Sequence, residues 1–169
     1  ILDAEEDIFR DIAILSDDAL EDLNNAIFNS FGFDGMEAAS YYTCDDTWNQ
    51  EDEIPMFDTG DVPGEQKTMS DYQLSDILDQ ENTKIIYVYD FINMWTFLVE
   101  LASIEEASTG ATYPETLFSV GEIPAEAMEK LLGGAHRKRR RLLAVKRAQP
   151  HEVGPAFFEL HIAADHLDH

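Results

Sequence analysis

A chain of 169 residues, 44% hydrophobic and 11% aromatic, is long enough for one folded domain and a tail. Its 35 acids against 11 bases leave a formal charge of −24, which opposes non-specific binding to nucleic acid or anionic lipid and favours a basic protein partner. The single cysteine, Cys44, excludes an internal disulfide and a multi-cysteine zinc site, and no apolar run is long enough to span a bilayer.

The charge is unevenly distributed. Residues 1–135 carry 31 acids and four bases, Arg10, Lys67, Lys84 and Lys130. Residues 136–169 carry seven bases, four acids and all five histidines. Such a break marks a segment with a different role or origin. No signal peptide is visible, and a reducing cytoplasmic compartment is the expectation. The first residue is Ile1 rather than Met, which reads as a chain with N-terminal residues missing.

Ile1-Leu2 and the segment Ile8, Phe9, Ile12, Ile14, Leu15 read as a hairpin whose first strand is cut short. Asp18 with Glu21 forms a capping-box-like helix start. Leu20, Leu23, Ile27, Phe28 and Phe31 then recur at helical spacing up to Gly32, a natural stop. The apolar stripe of that helix should cover one face of a sheet. Glu37 to Cys44 reads as a strand, and Asp45 to Lys67 as a long acidic loop with Pro55, Gly60, Pro63 and Gly64. Ser70 and Gln73 form a second capping box before a short helix with Leu74, Ile77 and Leu78 inward.

Lys84 to Phe91 alternates as a strand, Asn93 sits in a tight turn, and Trp95 to Ile104 returns as the next strand. Two adjacent strands this apolar should be central in the sheet. Beyond Glu106 the pattern weakens. Pro124 opens a short helix through Met128, Leu131 and Leu132, ended by Gly133-Gly134. The expected fold is α+β, a mostly antiparallel sheet with one main helix on a face, in the order β-β-α-β-(α)-β-β. That order is similar to ubiquitin-like β-grasp folds. The expected organisation is a core domain over 1–106, a weakly structured extension with a short helix over 107–135, and a tail over 136–169 that is disordered or not native.

Three stretches carry a family resemblance: IFRDIAI (Ile8 to Ile14) with ALEDLNNAIFNSFGF (Ala19 to Phe33), YYTCDDTW (Tyr41 to Trp48) with Glu53-Ile54, and YVYDFINMWTFLVEL (Tyr87 to Leu101). Together they resemble the plasmid pRi-type ORF-three-like family, also described as TnpR-like passenger proteins of insertion elements. The resemblance implies a compact α+β domain encoded near mobile elements. A resolvase activity does not follow, because the chain lacks a basic DNA-binding domain and its acidic part repels phosphate. Family members commonly read Tyr-Asp-Phe-Gly-Asp-x-Trp-x-His in the third stretch. Here Tyr89, Asp90, Phe91 and Trp95 match, but Ile92 and Asn93 replace Gly-Asp and Phe97 stands at the histidine position. The Asp-Leu-His of the helix is Asp22-Leu23-Asn24. A site built on those histidines would be lost in this chain.

The candidate binding residues are Asp90, Trp95, Tyr89, Phe91, Asp45 and Trp48. Asp90 ends an apolar strand, where it is either a pocket carboxylate or a turn-fixing acceptor. Asp45, Asp46, Glu51, Asp52 and Glu53 are either oxygen ligands for a hard cation or a solvated acidic loop. Trp48, Trp95, Tyr41, Tyr42, Tyr87 and Tyr89 are either groove or core. Cys44 has no base near it in sequence and is read as an inert thiol. His161, Asp165, His166 and His169 have spacings that a helix would bring together around a metal, a pattern read as accidental. No cofactor is expected. The cluster Arg137, Lys138, Arg139, Arg140, Arg141 is read three ways: nucleic-acid binding, neutralisation of the acidic domain, or a stretch foreign to the protein. The leading expectation is a non-enzymatic interaction or accessory module of bacterial mobile elements with a basic protein partner. The alternatives are a metal-dependent hydrolase or nuclease using Asp90, Asp45, Asp46 and Glu100, and DNA binding through the basic cluster.

Overall fold

The computed structural model describes residues 7–108, 110–124 and 156–165. Its elements are β1 (Phe9–Leu15), α1 (Leu20–Phe31), β2 (Ala39–Cys44), β3 (Gln50–Pro55), a 3-10 turn at Met69–Asp71, α2 (Leu74–Ile77), β4 (Lys84–Tyr89), β5 (Trp95–Glu106), β6 (Glu115–Val120) and β7 (Ala156–Ala164). The strands form one seven-stranded sheet in the order β3-β2-β4-β5-β7-β1-β6. Every pairing is antiparallel. The α+β class and the antiparallel sheet are as expected, and β4 and β5 are central. The likeness to a β-grasp rested on element order and does not extend to the pairing. Ile1-Leu2, the first strand of the anticipated hairpin, lies outside the described residues.

Helix α1 lies on one face of the sheet because Leu20, Leu23, Ile27 and Phe31 fall on one stripe, and all four are buried. At roughly 1.5–3 kcal/mol for each large apolar side chain removed from water, this stripe is the main attachment of helix to sheet. Beneath it lie Ile12, Tyr41, Ile85, Tyr87, Phe97, Val99, Leu160 and Ile162 in a single core cluster. The helix begins one residue later than its expected cap. The backbone N–H of Ala19 donates to Asp22 Oδ2 at 2.9 Å. The same device recurs where Gln73 N–H donates to Asp76 Oδ2 at 2.8 Å, so Gln73 begins α2 instead of Ser70. The two starts are joined, since Leu20 N–H reaches Tyr72 O at 3.0 Å and Leu74 N–H reaches Asp18 O at 2.9 Å. Gly32 ends α1 in the left-handed region (φ 89), as its place after Phe31 suggests.

Three strands were not anticipated. β3 falls in the stretch expected to be an acidic loop. Its side chains over Gln50–Glu53 are exposed and only Ile54 and Pro55 are buried, so an edge strand hid behind a solvated composition. β6 replaces part of the weak extension over 107–135, and it pairs with β1 in the same sheet. The helix expected from Pro124 lies almost wholly outside the described residues. β7 corrects the reading of 136–169 as a disordered or foreign tail over its C-terminal part. Ala156–Ala164 insert between β1 and β5, burying Phe158, Leu160 and Ile162. Twelve-residue β5 overhangs β4, and β7 supplies partners for the overhang out to Glu106.

Arg10 knits these parts together. It is buried, its Nε donates to Ser30 O at 2.8 Å at the end of α1, and its Nη1 reaches Val120 O and Gly121 O at 3.1 and 2.9 Å. The guanidinium lies 4.6 Å from the centroid of the Phe31 ring and 3.6 Å from Glu122. A cation beneath the last carbonyls of a helix complements its dipole.

Candidate functional site

Asp90 follows β4 and is buried, with its backbone in the left-handed region at φ 69. Its Oδ1 accepts Ile92 N–H at 3.1 Å and its Oδ2 accepts Asn93 Nδ2 at 2.7 Å. Its own N–H donates to Ala38 O at 2.9 Å, tying the turn to the segment between α1 and β2. Met94 is also left-handed, at φ 55. Two non-glycine residues in that region within five positions mark a constrained turn, and both Asp90 oxygens hold it.

The turn presents apolar side chains to water. Ile92 is 88% exposed, with Phe91 and Met94 exposed beside it in sequence. Met36, two residues before Ala38, and Phe57, two after Pro55, are exposed at the same end of the sheet. Acids Asp34, Glu37, Asp58 and Asp61 stand in the same loops. Burial, with Asp90 and Asp34 adding repulsion, raises the Glu37 carboxyl above its usual range. Sequence reasoning placed Asp90 and Phe91 here but missed Ile92, Met94, Met36 and Phe57. The signal was present, since Phe-Ile-Asn-Met is an apolar composition for a turn.

Asp45 braces the other hairpin. It is exposed and accepts Thr47 N–H at 2.9 Å and Asn49 N–H at 2.9 Å, with Asn49 Nδ2 on its second oxygen at 2.9 Å. These bonds, Asn49 first, hold its carboxyl well below the usual range. The pairings Thr43↔Ile85 and Ala39↔Tyr89 put Asp45 and Asp90 beyond opposite ends of β4. Five residue steps of about 3.3 Å separate those ends by roughly 17 Å. Glu100 pairs with Lys84 at 3.2 Å, on the Asp45 side. The hydrolase reading, which needs Asp90, Asp45, Asp46 and Glu100 on one cation, therefore fails on geometry. Among the described residues no group of three or more His, Cys, Asp or Glu could hold a metal ion.

Tyr41, Tyr87 and Tyr89 are core. Tyr41 OH donates to Leu20 O at 3.0 Å, and Tyr87 OH donates to Asn24 Oδ1. Trp95 packs on Phe33 at 5.7 Å, and its Nε1 is buried without a hydrogen-bond partner. Trp48 takes a left-handed backbone (φ 67) in the Asp45 turn, with Lys84 Nζ 5.5 Å from its ring. The six aromatics do not form one groove. Asn24 and Phe97, the positions where the resemblance expects histidine, meet at Tyr87: one accepts its hydroxyl and the other packs on its ring at 6.0 Å. An amide and a phenyl ring complete the core there.

Burial, reinforced by Glu51 and Asp45, pushes the Cys44 thiol up to about 11, so it is a protonated, weak nucleophile at neutral pH. His161 lies on strand β7, not a helix, and its Nδ1 meets Asp11 Oδ1 at 2.7 Å. A strand spreads His161 and Asp165 by about 13 Å, which removes that pattern as a ligand pair. His166, His169 and the cluster Arg137, Lys138, Arg139, Arg140, Arg141 lie outside the described residues.

The described residues form an α+β domain built on one antiparallel sheet with side-chain-braced hairpins. The chain matches the family of plasmid pRiA4b ORF-3-like proteins over residues 1–152, and it belongs to that family. The match runs past Leu101, the last residue of the three stretches that carry the resemblance. A solved structure with the same fold is the protein of unknown function MM3350 from Methanosarcina mazei Go1. It is 20% identical, with a TM-score of 0.57 over 80% of this chain and 86% of that one. No curated protein matches the chain. Among the described residues no helix is long and apolar enough to cross a membrane.

Proposed function

We propose that this protein is a non-enzymatic interaction module that engages a basic protein partner through the end of the sheet carrying the Asp90 turn. One observation carries the reading. The turn holds Ile92, Phe91 and Met94 out in water, and both oxygens of its buried carboxylate are engaged in bracing it. A braced apolar turn with Glu37 and Asp34 close to it suits an apolar anchor with a basic rim. The charge supports the sign of the partner. Among the described residues the lysines and arginines are Arg10, Lys67 and Lys84 alone, and each is engaged. The plasmid name of the family supports an accessory role in mobile elements.

The test is capture of partners at low and at moderate salt by the wild-type chain and by Ile92→Glu. Basic proteins should be retained at low salt, released as salt rises, and missed by the variant. Binding indifferent to both salt and Ile92→Glu would refute this reading. Nucleic-acid binding by residues 137–141 is tested by replacing all five with Gln. Truncation at 136 would remove β7 from the middle of the sheet and report on folding instead.

A further inference from the structure

The sheet has two edges, and they are treated differently. The β3 edge carries the consecutive exposed acids Glu51, Asp52 and Glu53 and closes on Pro55. Charge and proline are the usual guards against strand addition. The β6 edge carries neither between Thr116 and Val120. Leu117 and Phe118 on it are 42% and 55% exposed. Among the described residues β6 pairs with β1 on one side only, and it is the last strand of the sheet.

We propose that β6 accepts an extended basic segment of a partner protein as an eighth strand. Main-chain hydrogen bonds would supply affinity, and the side chains of β6 would supply selection. The edge is backed by a shelf: Phe118 lies 6.1 Å from Phe9, which packs 4.6 Å from His161, itself held by Asp11. A β-branched or aromatic side chain on the added strand extends that row. Charge selects among occupants. Glu115 opens the strand and Glu122, almost fully exposed, follows it. Among the described residues the nearby cation is Arg10, which is buried on backbone carbonyls and meets only one side of the exposed Glu122 carboxylate, at 3.6 Å. A second copy of the chain would bring the same acids and a net −24. A segment with lysines or arginines flanking a β-forming centre fits instead. Only the sign of charge rests on the proposed basic partner, since the surface is distinct from the Asp90 turn.

The experiment uses the full ¹⁵N-labelled chain and the synthetic peptide Lys-Thr-Val-Thr-Val-Thr-Lys, with controls carrying a central proline or glutamates at both ends. The expected result is shifts confined to β6 and neighbouring β1, slowed amide exchange in β6, and binding weakened about tenfold or more by either control. Phe118→Lys and the milder Leu117→Lys should each weaken binding likewise, whereas Ile92→Glu should not. Equal binding of the proline control, or shifts outside β6 and β1, would overturn the proposal. So would a dimer by light scattering that Leu117→Lys dissolves, because the edge would then be a self-interface. Failure here leaves the Asp90-turn reading intact, and loss of that reading leaves peptide binding at β6 in place.

Discussion

Tyr87 donates its hydroxyl hydrogen to the amide oxygen of Asn24, joining β4 to α1 inside the core. Both residues are buried, at 0% and 3% exposure. Leaving one partner without the other costs about 1–3 kcal/mol, because water cannot reach the orphaned group. Asn24→Leu and Tyr87→Phe should each destabilise by that amount in urea denaturation. The double variant should recover part of the sum, as both polar groups are then gone. Strict additivity would show that the two side chains do not act as a pair.

The Asp90 turn separates acceptor loss from backbone strain. Asp90→Ala and Asp90→Gly both remove the bonds to Ile92 and Asn93. Only alanine must also hold φ near 69 with a Cβ, a cost of roughly 1–2 kcal/mol. Glycine should therefore be the more stable variant by about 1 kcal/mol, after allowance for its looser unfolded chain. Equal midpoints would mean that the left-handed conformation is not kept.

Arg10→Met should be among the most damaging single substitutions. Methionine fills much of the volume but leaves Ser30, Val120 and Gly121 carbonyls without their donor. A loss of about 3 kcal/mol or more is expected in thermal or chemical unfolding. Lysine should not rescue it, because one ammonium cannot reach both the α1 end and the β6 end as the guanidinium fork does.

Acid should unfold the protein through its turns. Asp45, Asp58 and Asp79 each have a carboxyl below its usual range, held there chiefly by backbone N–H donors. A depressed folded pKa stabilises fully above the unfolded value, near 4 for Asp, and that gain is lost as pH falls from there through the folded values. The triple Asn variant should lose less stability than wild type below about pH 4. Parallel profiles would contradict the assignment. Glu37 has the opposite sign. Its raised pKa means that Glu37→Gln should gain stability at neutral pH and lose that advantage in acid.

Much of the fold was legible because burial on one side leaves a period in the sequence. Leu20, Leu23, Ile27 and Phe31 marked α1, and the alternation of Ile85, Tyr87 and Tyr89 marked β4. β3 and β6 are edge strands with mostly exposed side chains, and they need no such period. β7 did carry one, in Phe158, Leu160 and Ile162, but it lay beside a basic run whose composition suggested a tail. At the site, Asp90 was readable as a turn carboxylate. The apolar composition of Phe91 to Met94 in a turn was also readable, but that Ile92 stays uncovered was not, because cover comes from elements distant in the chain.

By itself the sequence determined the acidic character, the α+β class, the main helix and the central hairpin. These follow from local periodicity, caps and composition, which act over a few residues. Only the tertiary structure decided that Asp45 and Asp90 stand at opposite ends of the sheet, and that Asn24 and Phe97 meet at Tyr87. The same holds for a strand from residues 156–164 closing the gap between β1 and β5. Those are pairings between positions far apart in the chain. Hydrogen-bond register and burial set them, and no single segment encodes its partner.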